Sequence, residues 1–199
     1  LGNPLLPSSS KPTTTILNKI TYKEKPDYAL VFRDPAQPPE RIDEAGFRSI
    51  VAPVEPLSGD EELEREYLRA VSQIERIAHA DIGYPLDVLR NGVEIIDTPG
   101  TNDLDAAREE ITYTFIPKSD AAVFVLSAKA ILSDSEKRFL KDRILKANIQ
   151  KIFFVINHKD VLKSPADRDK VYRYAEQHLR EIVDRPRIHM VSAKHALKS

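Results

Sequence analysis

Val93-Glu94-Ile95-Ile96-Asp97-Thr98-Pro99-Gly100 is the stretch whose reading decides the fold. Its β-branched apolar residues read as a strand, and the strand stops abruptly at Asp-Thr-Pro-Gly. Two readings of that end are open. Thr98-Pro99-Gly100 suits a type II turn, with proline at the second position and glycine at the third. Alternatively, Asp97 at the strand tip holds Mg²⁺ through water. Gly100, having no side chain, then lets its backbone N–H approach a terminal phosphate.

Working downstream, residues 104–116 read as a helix with Leu104, Ile111 and Phe115 inward, ended by Pro117. Residues 121–126 form an uninterrupted apolar run, the kind buried on both faces of a parallel sheet. Ser133-Asp134-Ser135-Glu136 is a capping box opening a helix to about Lys146, whose Lys137, Arg138, Lys141, Arg143 and Lys146 form a solvated face. A second apolar run, 151–156, ends in Asn157-His158-Lys159-Asp160. Ser164-Pro165-Ala166-Asp167 caps a third helix, with Val171, Tyr174, Ala175, Leu179 and Ile182 on one side and Pro186 beyond it. A last strand, 188–191, runs into Ser192-Ala193-Lys194. Alternating strands and helices mean an α/β fold, a mostly parallel sheet with helices on both faces. Ligands bind such sheets at the carboxyl ends of the strands, where all three polar motifs fall.

Upstream the signals are weaker. Residues 86–89 and 93–96 read as a hairpin about Asn91-Gly92. Ser58-Gly59-Asp60-Glu61 is a capping box for a helix with Leu63, Tyr67, Val71, Ile74 and Ala78 on one face. Residues 33–59, rich in proline, read as an insertion with little regular structure. Residues 16–22 and 28–32 read as a hairpin turning at 23–27. The Pro/Ser/Thr-rich residues 1–15 are either a connector or a source of hydroxyls for Mg²⁺ or a water.

Composition removes several classes of function. The net charge of −1 gives no electrostatic case for nucleic acid, and the absence of cysteine excludes disulfides and thiolate metal sites. Apolar runs are strand-sized, too short for a transmembrane helix. No pair of histidines has metal-binding spacing. The only methionine is Met190 and the chain opens on Leu1, so a trimmed or processed chain is expected.

The second and third motifs suit a purine base. Asp160 at a tight turn can accept hydrogen bonds from guanine N1–H and the 2-amino group, which adenine does not offer. Asn157 can tether neighbouring loops. The small Ala193 lets a backbone N–H reach guanine O6, with Lys194 along the base. Each motif alone is also an ordinary polar turn; their order on three successive strand ends favours a guanine nucleotide.

With those residues in view, the chain resembles the P-loop GTPases. Asp97-Thr98-Pro99-Gly100, Asn157-His158-Lys159-Asp160 and Ser192-Ala193-Lys194 look like their third, fourth and fifth signatures. Leu1-Gly2-Asn3-Pro4-Leu5-Leu6-Pro7, followed by Pro12-Thr13-Thr14, resembles bacterial dynamin-like GTPases from the end of the first helix through switch I. The resemblance implies one GTPase domain over 1–199, with switch I at 8–15, an insertion at 33–80 and a nucleotide-binding core at 86–199. It implies GTP hydrolysis with Mg²⁺, coupled to self-assembly and membrane remodelling, in a cytoplasmic protein or one peripheral to the inner face of a membrane. Thr13 matches the switch I threonine that bonds Mg²⁺ and orients the attacking water, with Thr14 the alternative register. Asp97 would hold Mg²⁺, and Gly100 would touch the γ-phosphate. Asn157, His158, Asp160, Ser192, Ala193 and Lys194 would surround the base.

Two departures stand out. His158 occupies the place where the family usually has a lysine whose stem packs along the base. No Gly-x-x-x-x-Gly-Lys-Ser/Thr occurs in the chain. The family carries that loop just upstream, on a strand in the middle of the sheet, so truncation is the expectation, and residues 1–199 alone are expected not to bind or turn over GTP usefully. The alternatives are a GTPase of another branch, such as ribosome assembly, or a non-hydrolysing pseudo-GTPase binding module.

Overall fold

The computed structural model describes residues 16–51, 61–99, 115–147, 149 and 151–197. The chain divides into two compact units, one holding the described residues up to Pro99 and the other those from Phe115 onward.

In the first unit, strands β1 (Leu17–Tyr22), β2 (Asp27–Phe32), β3 (Glu40–Ile42), β4 (Ile77–Tyr84) and β5 (Ile95–Asp97) make one sheet in the order β3-β2-β4-β1-β5. β4 runs parallel to β1; the other pairings are antiparallel. Helices α1 (Glu44–Val51) and α2 (Glu61–Arg76) belong to the same unit. The core joins Ile20, Tyr28, Leu30, Ala80 and Ile82 from the strands to Phe47, Val51 and Ile74 from the helices. Tyr28 and Phe47 stack at 5.2 Å between centroids.

Here the structure departs from the sequence reading. β1 and β2 are not a hairpin. β4 lies between them, with Ala80 opposite both Asn18 and Leu30. Ala80 and Ile82 are fully buried and fill the face that a direct pairing would leave open. Gly83 admits the Lys23 side chain, since a Cβ there would sit 2.3 Å from Lys23 Cδ. The helical pattern ends earlier than expected. α2 stops at Arg76, and Ala78 already lies in β4, where Ala80 and Ile82 follow a two-residue period. The proline-rich insertion contains β3 and α1. Asp43 caps α1 by accepting from Gly46 N at 2.7 Å, and Phe47 and Val51, four apart, are buried. Residues 86–89 are not a strand: Asp87–Leu89 is a 3₁₀ turn that buries Leu89, and β5 pairs with β1 instead. The capping box at Ser58 and most of the helix expected at 104–116 lie outside the described residues. Pro117 sits in a single 3₁₀ turn, Ile116–Lys118.

In the second unit, β6 (Ala122–Ser127), β7 (Ile152–Asn157) and β8 (Arg187–Met190) form a parallel sheet with β7 in the middle. Helix α3 (Asp134–Phe139) continues into a π turn, Leu140–Ile144, and α4 (Pro165–Arg180) and α5 (Ala193–Ala196) follow. The expected capping box of Ser133 with Glu136 forms, and the cap expected at Ser164 is likewise a full capping box, with Asp167. Phe124, Leu126, Phe154, Ile156 and Ile188 pack with Leu140, Ile144, Ala175 and Leu179 on one face. The run at 121–126 is therefore buried on that face only among the described residues. On the other, Val123 is 64% and Val125 59% exposed. Asp97 is carried by β5 in the first sheet, whereas the Asn157 and Ser192 motifs follow β7 and β8 of the second.

Phe154 is fully buried at the centre of the second core. Phe154→Ala should cost about 3–5 kcal/mol of stability, by lost transfer energy and an unfilled cavity, read as a lower urea midpoint by circular dichroism.

Candidate functional site

β7 delivers Asn157 at its carboxyl end, and the chain then turns sharply because His158 adopts φ 64° and ψ 30°. Asn157 Oδ1 accepts from His158 N at 2.7 Å and from Ala193 N at 3.1 Å. One side-chain oxygen thus holds its own turn and the start of α5. Two backbone bonds run beside it: Lys159 N donates to Val191 O at 3.0 Å, and Val191 N to Ile156 O at 2.9 Å.

Asp160 lies in the 3₁₀ turn Lys159–Val161. Its Oδ1 accepts from Ser192 Oγ at 2.7 Å, while Ser192 Oγ in turn accepts from His195 N at 3.3 Å as the N-cap of α5. The Ser192 hydroxyl and Asp160's own amide hold this carboxyl below the usual carboxylate range, and positive charge at His195 and Lys194 adds to the effect. An ionised, half-buried acceptor is thereby fixed at a strand end. Ala193 N–H, which the sequence reading directs at guanine O6, is donated to Asn157.

The structure adds a residue to this group. Ser127, the last residue of β6, is in register with Asn157, and its Oγ lies 3.1 Å from His158 Nδ1. Lys129 N also donates to Ser127 Oγ, at 3.3 Å. No motif marks Ser127 in the sequence. Its signal is positional, being the polar residue that closes an apolar strand.

Asp97 ends β5 in the first unit and faces Asn18 of β1 across an antiparallel pair. Asn18 Nδ2 donates to Asp97 Oδ2 at 3.3 Å and to Ile16 O at 3.3 Å. Sequence reasoning missed Asn18, which interrupts an apolar face between Ile16 and Ile20. Thr13, Thr14 and Gly100 lie outside the described residues.

Among the described residues no group of three or more His, Cys, Asp or Glu could hold a metal ion. A magnesium ion that keeps its waters and binds substrate phosphates needs only one or two carboxylates. Asp97 fits that requirement, and the buried Asn18 Oδ1 beside it has no hydrogen-bond partner. Among the described residues no helix is long and apolar enough to cross a membrane.

The fold is of the mixed α/β class, with polar groups gathered at strand ends, and comparison with known proteins narrows it. The dynamin family model matches residues 1–160, and the chain belongs to the dynamin family. It is 30% identical over 185 residues to a bacterial dynamin-like protein of Nostoc punctiforme, covering 92% of this chain and 26% of that protein. It is 32% identical over 200 residues to the uncharacterized protein of the xynA 3′ region in Caldicellulosiruptor sp. (strain Rt8B.4), covering 100% of this chain and 45% of that one. The chain thus spans less than half the length of either relative. A solved structure of an oligomerised bacterial dynamin pair has the same fold, with a TM-score of 0.67 at 21% identity over 97% of this chain and 30% of that one.

Asn157→Ala should leave His158 N and Ala193 N without their shared acceptor. Water can partly replace it at this half-buried position, so about 1 kcal/mol is expected. Hydrogen exchange at those two amides should accelerate about fivefold or more, with the β7 core amides unchanged.

Proposed function

We propose that the full-length protein binds and hydrolyses GTP, and that residues 1–199 supply its base-recognition surface and part of its Mg²⁺ and water machinery. The observation that carries this reading is the fixed Asp160 carboxylate. Its ionised state and its bond to Ser192 leave an acceptor of set orientation at the mouth of the parallel sheet. Guanine offers two donors side by side, N1–H and the 2-amino group; adenine offers an unmatched acceptor there, so the site discriminates by an unsatisfied buried group. Asn157 keeps Ala193 and α5 in place around the base. His158 stands where the family has a lysine, supported by Ser127, and Lys194 flanks the ring.

At the other end of the nucleotide, Asp97 would hold Mg²⁺ through water, Gly100 would meet the γ-phosphate, and Thr13 would orient the attacking water. The ion supplies charge neutralisation on the phosphates as the leaving group departs. The phosphates themselves need a cradle of backbone N–H groups and a lysine, which a phosphate loop would supply. The oligomerised dynamin pair is described as a mechanism for long-range sensing and tethering of membranes. By extension, we assign this protein self-association through its GTPase domain and work at a membrane surface, from the cytoplasmic side.

Asp160→Asn replaces one acceptor oxygen with an NH₂ group facing guanine's amino group. Two opposed donors should cost about 1–3 kcal/mol, roughly ten- to hundredfold in GTP affinity. Xanthine has a carbonyl at that position, so the variant should prefer XTP. Competition of GTP, XTP and ATP against a fluorescent nucleotide measures this; an unchanged preference for GTP would reduce Asp160 to a turn residue.

Thr13→Ala should slow single-turnover hydrolysis of GTP at least about tenfold with GDP affinity nearly unchanged, because the threonine acts only where Mg²⁺, γ-phosphate and water meet. Hydrolysis at the parental rate would shift the assignment to Thr14.

A further inference from the structure

Asn18 is the one polar residue among the described residues that is buried, at 2% exposure. It lies on the core-facing side of β1 with Ile16 and Ile20, a position where an aliphatic side chain would complete the apolar stripe. Burying an amide there is unfavourable unless both ends are bonded. Only one end is. Nδ2 donates to Asp97 Oδ2 and Ile16 O, whereas Oδ1 has no partner and is closed to bulk solvent. Turning the amide over would set its oxygen against a carboxylate and a carbonyl, two acceptors, so the orientation is forced by its neighbours.

We propose that Asn18 is the positioning residue of the magnesium site. Its Nδ2 fixes the carboxylate of Asp97, and its unmatched Oδ1 is the acceptor for a water brought in by the hydrated ion. The proposal rests on the assignment of Asp97 to Mg²⁺. Three facts support it together. Asn18 and Asp97 are directly opposed in the β1–β5 register, so the amide reaches the carboxylate without a strained approach. Asp97 ends its strand, where an incoming ligand meets it. The open acceptor lies beside that carboxylate without a partner, so a donor brought in there completes its bonding. A hydrated magnesium ion carries such donors, since it gives up its waters reluctantly.

A purely structural role makes a different prediction. Asn18→Leu removes the unpaired acceptor together with the donor to Asp97 and Ile16 O, so a structural role alone moves stability modestly and leaves the Mg²⁺ midpoint in place. Function and stability should therefore separate in Asn18→Leu. The test uses the full-length protein loaded with a fluorescent GDP analogue. Nucleotide retention is titrated against free Mg²⁺, GDP affinity is measured in EDTA, and the nucleotide-free Tm is recorded. For Asn18→Leu the expected result is a folded protein with a modest change in Tm, unchanged GDP affinity in EDTA, and a Mg²⁺ midpoint raised about tenfold or more. Asn18→Thr, which keeps a hydroxyl and suits a strand, serves if the leucine variant does not fold, and should show a smaller shift in the same direction. Asp97→Asn is the control. If Asp97→Asn raises the midpoint and the folded Asn18 variants do not, Asn18 is only a packing residue and the proposal fails. If Asp97→Asn leaves the midpoint in place as well, the magnesium assignment of Asp97 fails first and takes the proposal with it.

Discussion

A single carboxamide oxygen holds the second unit's strand ends together. Asn157 Oδ1 receives one amide from its own turn and one from the start of α5. Everything else at that edge depends on the two loops being held at this spacing. Ser192 reaches Asp160 only because α5 begins beside the β7 turn, and the left-handed His158 is tolerated because its amide is anchored. A left-handed residue with a side chain is disfavoured, and here that local cost is offset by hydrogen bonds made on both sides of it. The Ser192 hydroxyl, held at the start of α5, and Asp160's own amide then keep the Asp160 carboxyl below its ordinary range.

Parts of this arrangement were open to sequence reasoning because they are local. Ser133–Glu136 and Ser164–Asp167 are separated by three residues and close on themselves, so composition alone locates them. The apolar runs of β6 and β7 and the polar groups that follow them are likewise contiguous. What stayed hidden is non-local. Nothing near Lys23 says that the partner of β1 is a strand some sixty residues on, and the period of α2 runs into β4 without a glycine or proline to mark the change. Asn18 and Ser127 gain meaning only from register, one opposite Asp97 and the other opposite Asn157. Asp43 was missed although its signal is local. An N-cap followed four residues later by Phe47 and then Val51 is a helix signal that the prolines around it obscured.

The two buried polar devices differ in kind. At Asn157 one oxygen serves two donors, one half-buried and one exposed, so water can soften a loss. At Asn18 an acceptor lies in an apolar core without a partner, a state that folding alone does not favour. Residues of the first kind define a surface for a ligand to meet. A residue of the second kind is the one to test first for a role beyond folding.

The insertion of β4 between β1 and β2 has a consequence for how the chain is made. Leu17 is paired with His79 and Asp27 with Gly83, so β1 has no partner nearby in the sequence and β2 has only the short β3. As the polypeptide emerges from the ribosome, β1 must wait, with Ile20 unshielded, and β2 has one edge open, until α2 and β4 have followed them out. Long-range parallel pairing of this sort is slow to nucleate, and the waiting strands are open to pairing with other chains. The first unit is therefore the part of the molecule most dependent on being synthesised in order and on protection during synthesis. The second unit, whose strands are joined by successive helical crossovers, can assemble as it appears.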